Sequence, residues 1–295
     1  MGKIEGSEPG PLIICIAALH GNEQVGIHAF RNVHSAIENH KIPFKGKLIG
    51  LLGNIKAIQE NRRFLDYDMN RAWTEDNLRR VFGEDQNTRL EDEEMRSLQN
   101  VIAQESEGEF TQKVMVDLHS TSSEKGNFIV VDEESATHSV IKALHIPTII
   151  GLEEYLQGTL LEYYHQRGFI SFAFEGGIIG TENVYQLHTS GLWEILDKSG
   201  CISHHDHEVE DHYAKLLETV SEGLPKKVYV KHHQRVTKGE GFRMLPGFHN
   251  FQKVHEGQHL AINNKGNVYA PLDGLIFMPL YQSEGEDGFF IAEAE

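Results

Sequence analysis

Residues 12–19, Leu-Ile-Ile-Cys-Ile-Ala-Ala-Leu, form an unbroken apolar run that leads directly into His20-Gly21-Asn22-Glu23. A continuous run of that length without alternation suits a strand buried on both faces, as in a parallel sheet covered by helices. It is too short for the ~18 apolar residues of a membrane span, and neither a basic leader nor a small-residue cleavage site accompanies it. A polar cluster at the mouth of such a strand is where α/β sheets place ligand sites.

Beyond it, short aliphatic runs alternate with longer mixed segments. Strands are expected at 47–52, 113–118, 127–131, 148–150 and 168–174. Residues 23–39 read as a helix because Val25, Phe30, Val33 and Ile37 recur at helical spacing. Further helices are expected at 92–104, 135–144 and 153–165, with Glu91–Glu94 placing carboxylates at a helix start. This alternation predicts an α/β fold, a mostly parallel or mixed sheet flanked by helices. The acidic, histidine-rich segment 203–212 leads into an amphipathic helix ending near Gly223. From about Lys226 the language is all-β, with short strands at 228–230, 268–270 and 275–278 between glycine and proline turns. The expected layout is an α/β domain at 1–224 and a small β-rich domain at 225–295.

Lysine and arginine total 27 against 44 aspartates and glutamates, a net charge of −17. That balance argues against a nucleic-acid binder or an anionic-membrane binder, yet leaves room for anionic substrates held by a few local arginines. Cys15 and Cys201 lie far apart, which disfavours a disulfide framework and points to the cytoplasm.

Four segments carry chemistry. His20 and Glu23, three apart around a glycine, can be aimed at one point, and His119 closes a second apolar strand as a third candidate metal ligand. Asp117 is placed to orient a ligand. Arg63, Asn70 and Arg71 belong to Arg62-Arg63-Phe64-Leu65-Asp66-Tyr67-Asp68-Met69-Asn70-Arg71, whose guanidinium groups suit a carboxylate. Phe172-Ala173-Phe174-Glu175-Gly176-Gly177 ends an apolar strand in one glutamate, where desolvation would raise the pKa toward that of a working base. Each has a plainer reading: a chance His/Glu pair, a solvated Arg/Asp loop, a glutamate in a turn. Ser120, Thr121, Ser122 and Ser123 read as a turn after the strand rather than as pocket lining. His204, His205 and His207, with Asp206, read as a solvated linker and not a second metal cluster.

Taken together, HGNE at 20–23, Arg63 ahead of DMNR at 68–71, DLHSTSS at 117–123 and FEGG at 174–177 resemble the succinylglutamate desuccinylase/aspartoacylase family, relatives of the zinc carboxypeptidases. The resemblance implies one zinc ion per chain on His20, Glu23 and His119. It also implies Glu175 as general base toward a zinc-activated water, Arg63 at the oxyanion, and Asn70 and Arg71 on the substrate's α-carboxylate. The implied reaction is hydrolysis of a small carboxylated N-acyl amino acid, with residues 1–224 as the zinc-carboxypeptidase-like catalytic domain and the β-rich domain at 225–295 capping the active-site entrance; a homo-oligomer is compatible with the sequence. Where aspartoacylase-like members carry an arginine for the substrate's side-chain carboxylate, this chain has His165, and the nearest arginine is Arg167. A zinc carboxypeptidase on peptides, or a catalytically silent metal- or metabolite-binding protein, are the alternatives. Residues 254–260 and 270–274 look like a lipoyl-type half-barrel, but Lys265 lacks a carrier lysine's neighbours. Tyr269 and Tyr281 are expected in core packing.

Overall fold

The computed structural model describes residues 1–83, 88–121, 127–202, 208–282 and 285–295, with backbone alone for 208–212. Ser122, Ser123, His204, His205, Asp206 and His207 therefore lie outside the described residues.

The first half comprises β1 (Gly2–Glu5), β2 (Glu8–Ala17), α1 (Val25–His40), β3 (Lys45–Leu52), α2 (Ile55–Glu60), α3 (Glu75–Phe82), α4 (Leu90–Glu105) and β4 (Lys113–Thr121). Next come β5 (Phe128–Val131), α5 (Ser139–Lys142), β6 (Thr148–Ile150), α6 (Leu160–His165), β7 (Ile170–Ile178), α7 (Glu182–Ser199) and α8 (Glu208–Ser221). The remainder is β8 (Lys227–Arg235), β9 (Arg243–Met244), β10 (Gln252–Val254), β11 (His259–Asn263), β12 (Gly266–Tyr269), β13 (Gly274–Phe277) and β14 (Asp287–Ala294).

Eleven strands form one mixed sheet in the order β1-β3-β2-β4-β7-β5-β6-β8-β14-β13-β10, while β9, β11 and β12 form a separate three-stranded sheet. The α/β class and the C-terminal β region are as expected. Residue 224 falls between α8 and β8, and β8 pairs in parallel with β6, so hydrogen-bonded sheet runs across that point.

The central strands are apolar throughout because both their faces are covered. Along β2, Ile13, Cys15 and Ala17 pack with Phe30 and Val33 of α1 and Trp193 of α7 on one face. Leu12, Ile14 and Ile16 pack with Met95 and Leu98 of α4 and Leu160 of α6 on the other. This two-residue alternation within one apolar run reflects the pleat. The side chains of Cys15 and Cys201 are buried and free. Among the described residues no helix is long and apolar enough to cross a membrane.

Two expected helices are interrupted. The span 135–144 is a 3-10 turn, Ser135–Thr137, then α5 after an extended His138. The span 153–165 is a 3-10 turn, Leu152–Glu154, then α6. Gly158 breaks it at φ +70°, where a Cβ would stand 2.8 Å from the Arg71 carbonyl oxygen. The Thr159 hydroxyl then accepts from Glu162 N at 3.1 Å to start α6. Tyr269 and Tyr281 are 50% and 39% exposed, so neither serves the core expected of it; β-sheet edges and turns hold them at the surface.

Candidate active site and metal centre

Parallel strands β2, β4 and β7 end at one edge of the sheet, and their ends deliver the site. At the end of β2, Ala18 adopts φ +57° and swings the chain out of the strand. Gly21 then passes so close to α2 that a Cβ would stand 2.3 Å from the Ala57 carbonyl carbon, which explains the glycine between the two candidate ligands. Glu23 lies in the turn, two residues before α1 begins, and not within the helix as expected. That position lets it face His20: His20 Nδ1 is 3.0 Å from Glu23 Oε1. His119 reaches the same carboxylate from β4, with Nδ1 3.2 Å from Oε2. One ligand atom from each of the three residues lies within 4.8 Å of the others, and all three side chains are buried.

The donor set fits a divalent cation such as zinc. Imidazole nitrogen and carboxylate oxygen are ordinary zinc ligands, and bonds of ~2.0–2.1 Å in a tetrahedron put ligand atoms ~3.3 Å apart, close to the separations here. Each histidine is also held from behind. His119 Nε2 donates to Asp117 Oδ2 at 2.6 Å, which leaves Nδ1 for the ion. His20 Nε2 lies 3.3 Å from Asp68 Oδ1. From α7, His188 Nε2 donates to the His119 carbonyl at 2.9 Å and steadies the strand end. Burial lowers the His188 pKa to about 4, so its imidazole is neutral.

Burial pushes the Glu23 carboxyl up, but His20 and His119 beside it pull it well below the usual carboxylate range. Burial pushes His119 down, and Asp117 and Glu23 outweigh it and raise it well above the usual imidazole value. The cluster thus holds anionic oxygens ready for a cation. Ser120 N donates to Glu23 Oε2 at 2.7 Å, and Ser120 and Thr121 belong to β4 and line the cavity. They are not the expected turn, because β4 continues past His119 to pair with β7 through Thr121.

Glu175 sits on β7 in register with His119. It is 94% buried, its Oε2 has no hydrogen-bond partner, and burial raises its pKa to about 7. Arg63 reaches in from the loop after α2, with Nη1 3.4 Å from Glu23 Oε1 and Nη2 3.5 Å from Asp68 Oδ2, while its buried Nε has no partner. Asn70 Oδ1 accepts from Leu160 N at 3.1 Å, and Arg71 Nη1 donates to the Asn70 carbonyl at 2.8 Å. All seven residues singled out in the sequence line one cavity of about 500 Å³.

Two functional neighbours escape sequence reasoning. Asp287, at the start of β14, accepts from Arg71 Nη2 at 2.9 Å and lies 2.9 Å from His233 Nε2. Met278, Leu280 and Gln282 join it on the cavity wall. Glu91 is wholly buried and accepts from Leu65 N, Asp66 N and Asn54 Nδ2 at 2.7, 3.0 and 3.1 Å, so it organises the loop that bears Arg63. An Asp at the start of a strand and a Glu at a helix start look ordinary until their distant partners are known.

The profile of the succinylglutamate desuccinylase/aspartoacylase catalytic domain matches residues 9–188, more than half of the chain. A probable aspartoacylase of Prochlorococcus marinus (strain MIT 9313) is 29% identical over 163 residues, 52% of this chain and 50% of that protein. The chain thus spans about half the length of the curated relatives it matches. Among solved structures, a succinylglutamate desuccinylase/aspartoacylase from Rhodobacter sphaeroides aligns at TM-score 0.72 and 16% identity, over 99% of this chain and 87% of that one. The product-bound ectoine utilization protein of Ruegeria pomeroyi aligns at 0.69 and 16%, with coverages of 99% and 87%. Structural likeness at such low identity establishes a common fold, and the profile match adds the lineage. The chain belongs to the succinylglutamate desuccinylase/aspartoacylase family.

Proposed function

We propose that this chain hydrolyses the amide bond of an N-acyl amino acid, with one zinc ion held by His20, Glu23 and His119. The observation that carries the reading is Glu175: a buried carboxyl with an unpartnered oxygen and a pKa of about 7, beside a group able to hold a metal. Bound zinc supplies a water of lowered pKa, ~7 in known sites, and polarises a carbonyl. Glu175 takes a proton from the attacking water as oxygen adds to the carbonyl carbon. It then returns a proton to nitrogen as the C–N bond breaks, releasing a carboxylate and a free amino acid. Arg63, with Nε unengaged, donates to the developing oxyanion; donors of this kind are typically worth ~3–4 kcal/mol. Arg71 and Asn70 hold the α-carboxylate through N–H donors. Two buried free thiols suit a reducing compartment, which supports cytoplasmic residence.

The test is amine release from a panel of N-acyl amino acids with and without a chelator, alongside Glu175→Ala. Turnover that the chelator abolishes, and a loss of at least ~10² in Glu175→Ala with metal content intact, is the expected result. Chelator-insensitive turnover, or loss of metal in proportion to activity in that variant, would overturn the reading.

A further inference from the structure

Among the described residues that line the cavity the guanidinium groups are those of Arg63, beside Glu23, and Arg71, beside Asp287, and none is a lysine. Another part of the wall carries carboxylates with no such cation beside them. Asp132 follows β5 directly, Glu153 lies in the 3-10 turn after β6, and Glu134 stands at the rim. Asp132 Oδ1 accepts from Ser135 N at 2.8 Å, while Oδ2 lies 3.3 Å from His165 Nδ1. Burial, and then the nearby charge of Asp132, raises the Glu153 carboxyl above its ordinary value. Glu153 Oε2 is buried with no hydrogen-bond partner.

An independent observation points to a ligand at the same place. Ser171 on β7 lines the cavity, is 97% buried, and its Oγ has no hydrogen-bond partner. Val131 pairs with Phe172 in antiparallel register, so Ser171 stands beside Asp132. Arg167, two residues beyond His165, is engaged elsewhere and is not among the described residues that line the cavity. Arg167 Nη1 donates to the Tyr163 carbonyl at 2.8 Å, and its guanidinium lies 3.4 Å from the centre of the Tyr163 ring.

We infer that this wall receives the cationic side-chain terminus of the substrate, so that the chain acts on N-acyl derivatives of basic amino acids. The inference rests on the amide-hydrolysis reading for the bond that is cleaved, and on this wall alone for the side chain. An ammonium or guanidinium carries only donors, and Asp132, Glu153 and the Ser171 hydroxyl oxygen are acceptors. An anionic side chain would face two carboxylates in a poorly solvated space. A neutral alkyl side chain would leave Glu153 Oε2 and Ser171 Oγ unpartnered. His165 now occupies this place, 3.3 Å from Asp132 Oδ2 and from Ser135 Oγ and 3.6 Å from Glu134 Oε2, and the incoming cation would displace its 26% exposed side chain.

The test compares kcat/KM of the zinc-loaded full chain on N-acetyl-lysine, N-acetyl-ornithine and N-acetyl-arginine with N-acetyl-norleucine and N-acetyl-glutamate. At least one cationic substrate should exceed norleucine by ~10-fold or more, with glutamate poorer still. Asp132→Asn keeps the acceptor for Ser135 N and should collapse the cationic-to-neutral ratio toward unity. Calorimetric binding of free lysine, ornithine, arginine and norleucine to the same protein gives a second readout. Preference for a free basic amino acid without turnover of any substrate would sustain the wall and overturn amide hydrolysis. Turnover that prefers norleucine or glutamate, or equal binding of the basic amino acids and norleucine, would overturn the wall.

Discussion

Arg71 and Asp287 form an ion pair at 2.9 Å although 216 positions separate them in the chain. Asp287 also faces His233 at 2.9 Å; burial raises its carboxyl, but His233 and Arg71 more than compensate and lower it. The C-terminal β region thereby fixes the direction of the guanidinium assigned to the substrate's carboxylate. The side chains are 28% and 20% exposed, so solvent screens the pair and its worth is about 1 kcal/mol. Asp287→Ala should raise KM by about fivefold and change kcat little, as steady-state kinetics would reveal. A fall in kcat with KM unchanged would place Asp287 in the chemical step instead.

Asp117 has no role in contacting substrate, yet it fixes which nitrogen of His119 is free for a metal. Asp117→Asn should weaken zinc affinity by ~10–100-fold, measured by competition with a chromophoric chelator. Unchanged affinity would mean that the His119 ring is held in place by other contacts.

Glu175 should make the metal-free protein pH-sensitive in a direction that follows from its raised pKa. An acid whose folded value stands above its unfolded one stabilises fully below the unfolded value and loses that contribution as pH rises through the folded one. Here the window runs from about 4.5 to about 7. Glu175→Gln cannot ionise, so its stability advantage over the parent should grow by ~2–3 kcal/mol between pH 5 and pH 8 in urea unfolding. A gap independent of pH would mean that water solvates the carboxylate in the folded state.

Glu91 and Glu93 are neighbours on the first turn of α4 with opposite fates. Glu91 is 0% exposed and ties down Asn54, Leu65 and Asp66, whereas Glu93 has a 62% exposed side chain paired with Lys56. Glu91→Ala strands several buried donors and should cost ~2–4 kcal/mol, with a parallel fall in kcat/KM as the Arg63 loop loosens. Glu93→Ala should leave the unfolding midpoint unchanged. Equal effects in the two variants would reduce Glu91 to an ordinary residue at a helix start.

The strand ends were legible because each pairs a long apolar run with an abrupt polar stop: Leu19 to His20, Leu118 to His119, Phe174 to Glu175. Helix α7 was not. Leu187, His188, Gly191, Trp193 and Glu194 are all buried, so its apolar residues mark no single face and no helical period emerges. Strand β14 hides for a different reason. Its pairing with β8 joins segments more than 50 residues apart, and Asp287 acquires meaning only when that pairing brings it to Arg71. His165 was legible as a departure from the resemblance, but the carboxylates Asp132 and Glu134 facing it come from the loop after β5.

The insertion of β8 between β6 and β14 has a consequence for how the chain is made. Until residues 227–235 leave the ribosome, β6 is an unpaired edge of the sheet, and Ile149 lacks its neighbour Val228. Such an edge can template pairing with another chain, so covering β6 with β8 removes an aggregation hazard from the nascent protein. β8 is covered in turn by β14, the strand that brings Asp287 to the pocket, so the pocket wall is completed only after the β6 edge has been closed.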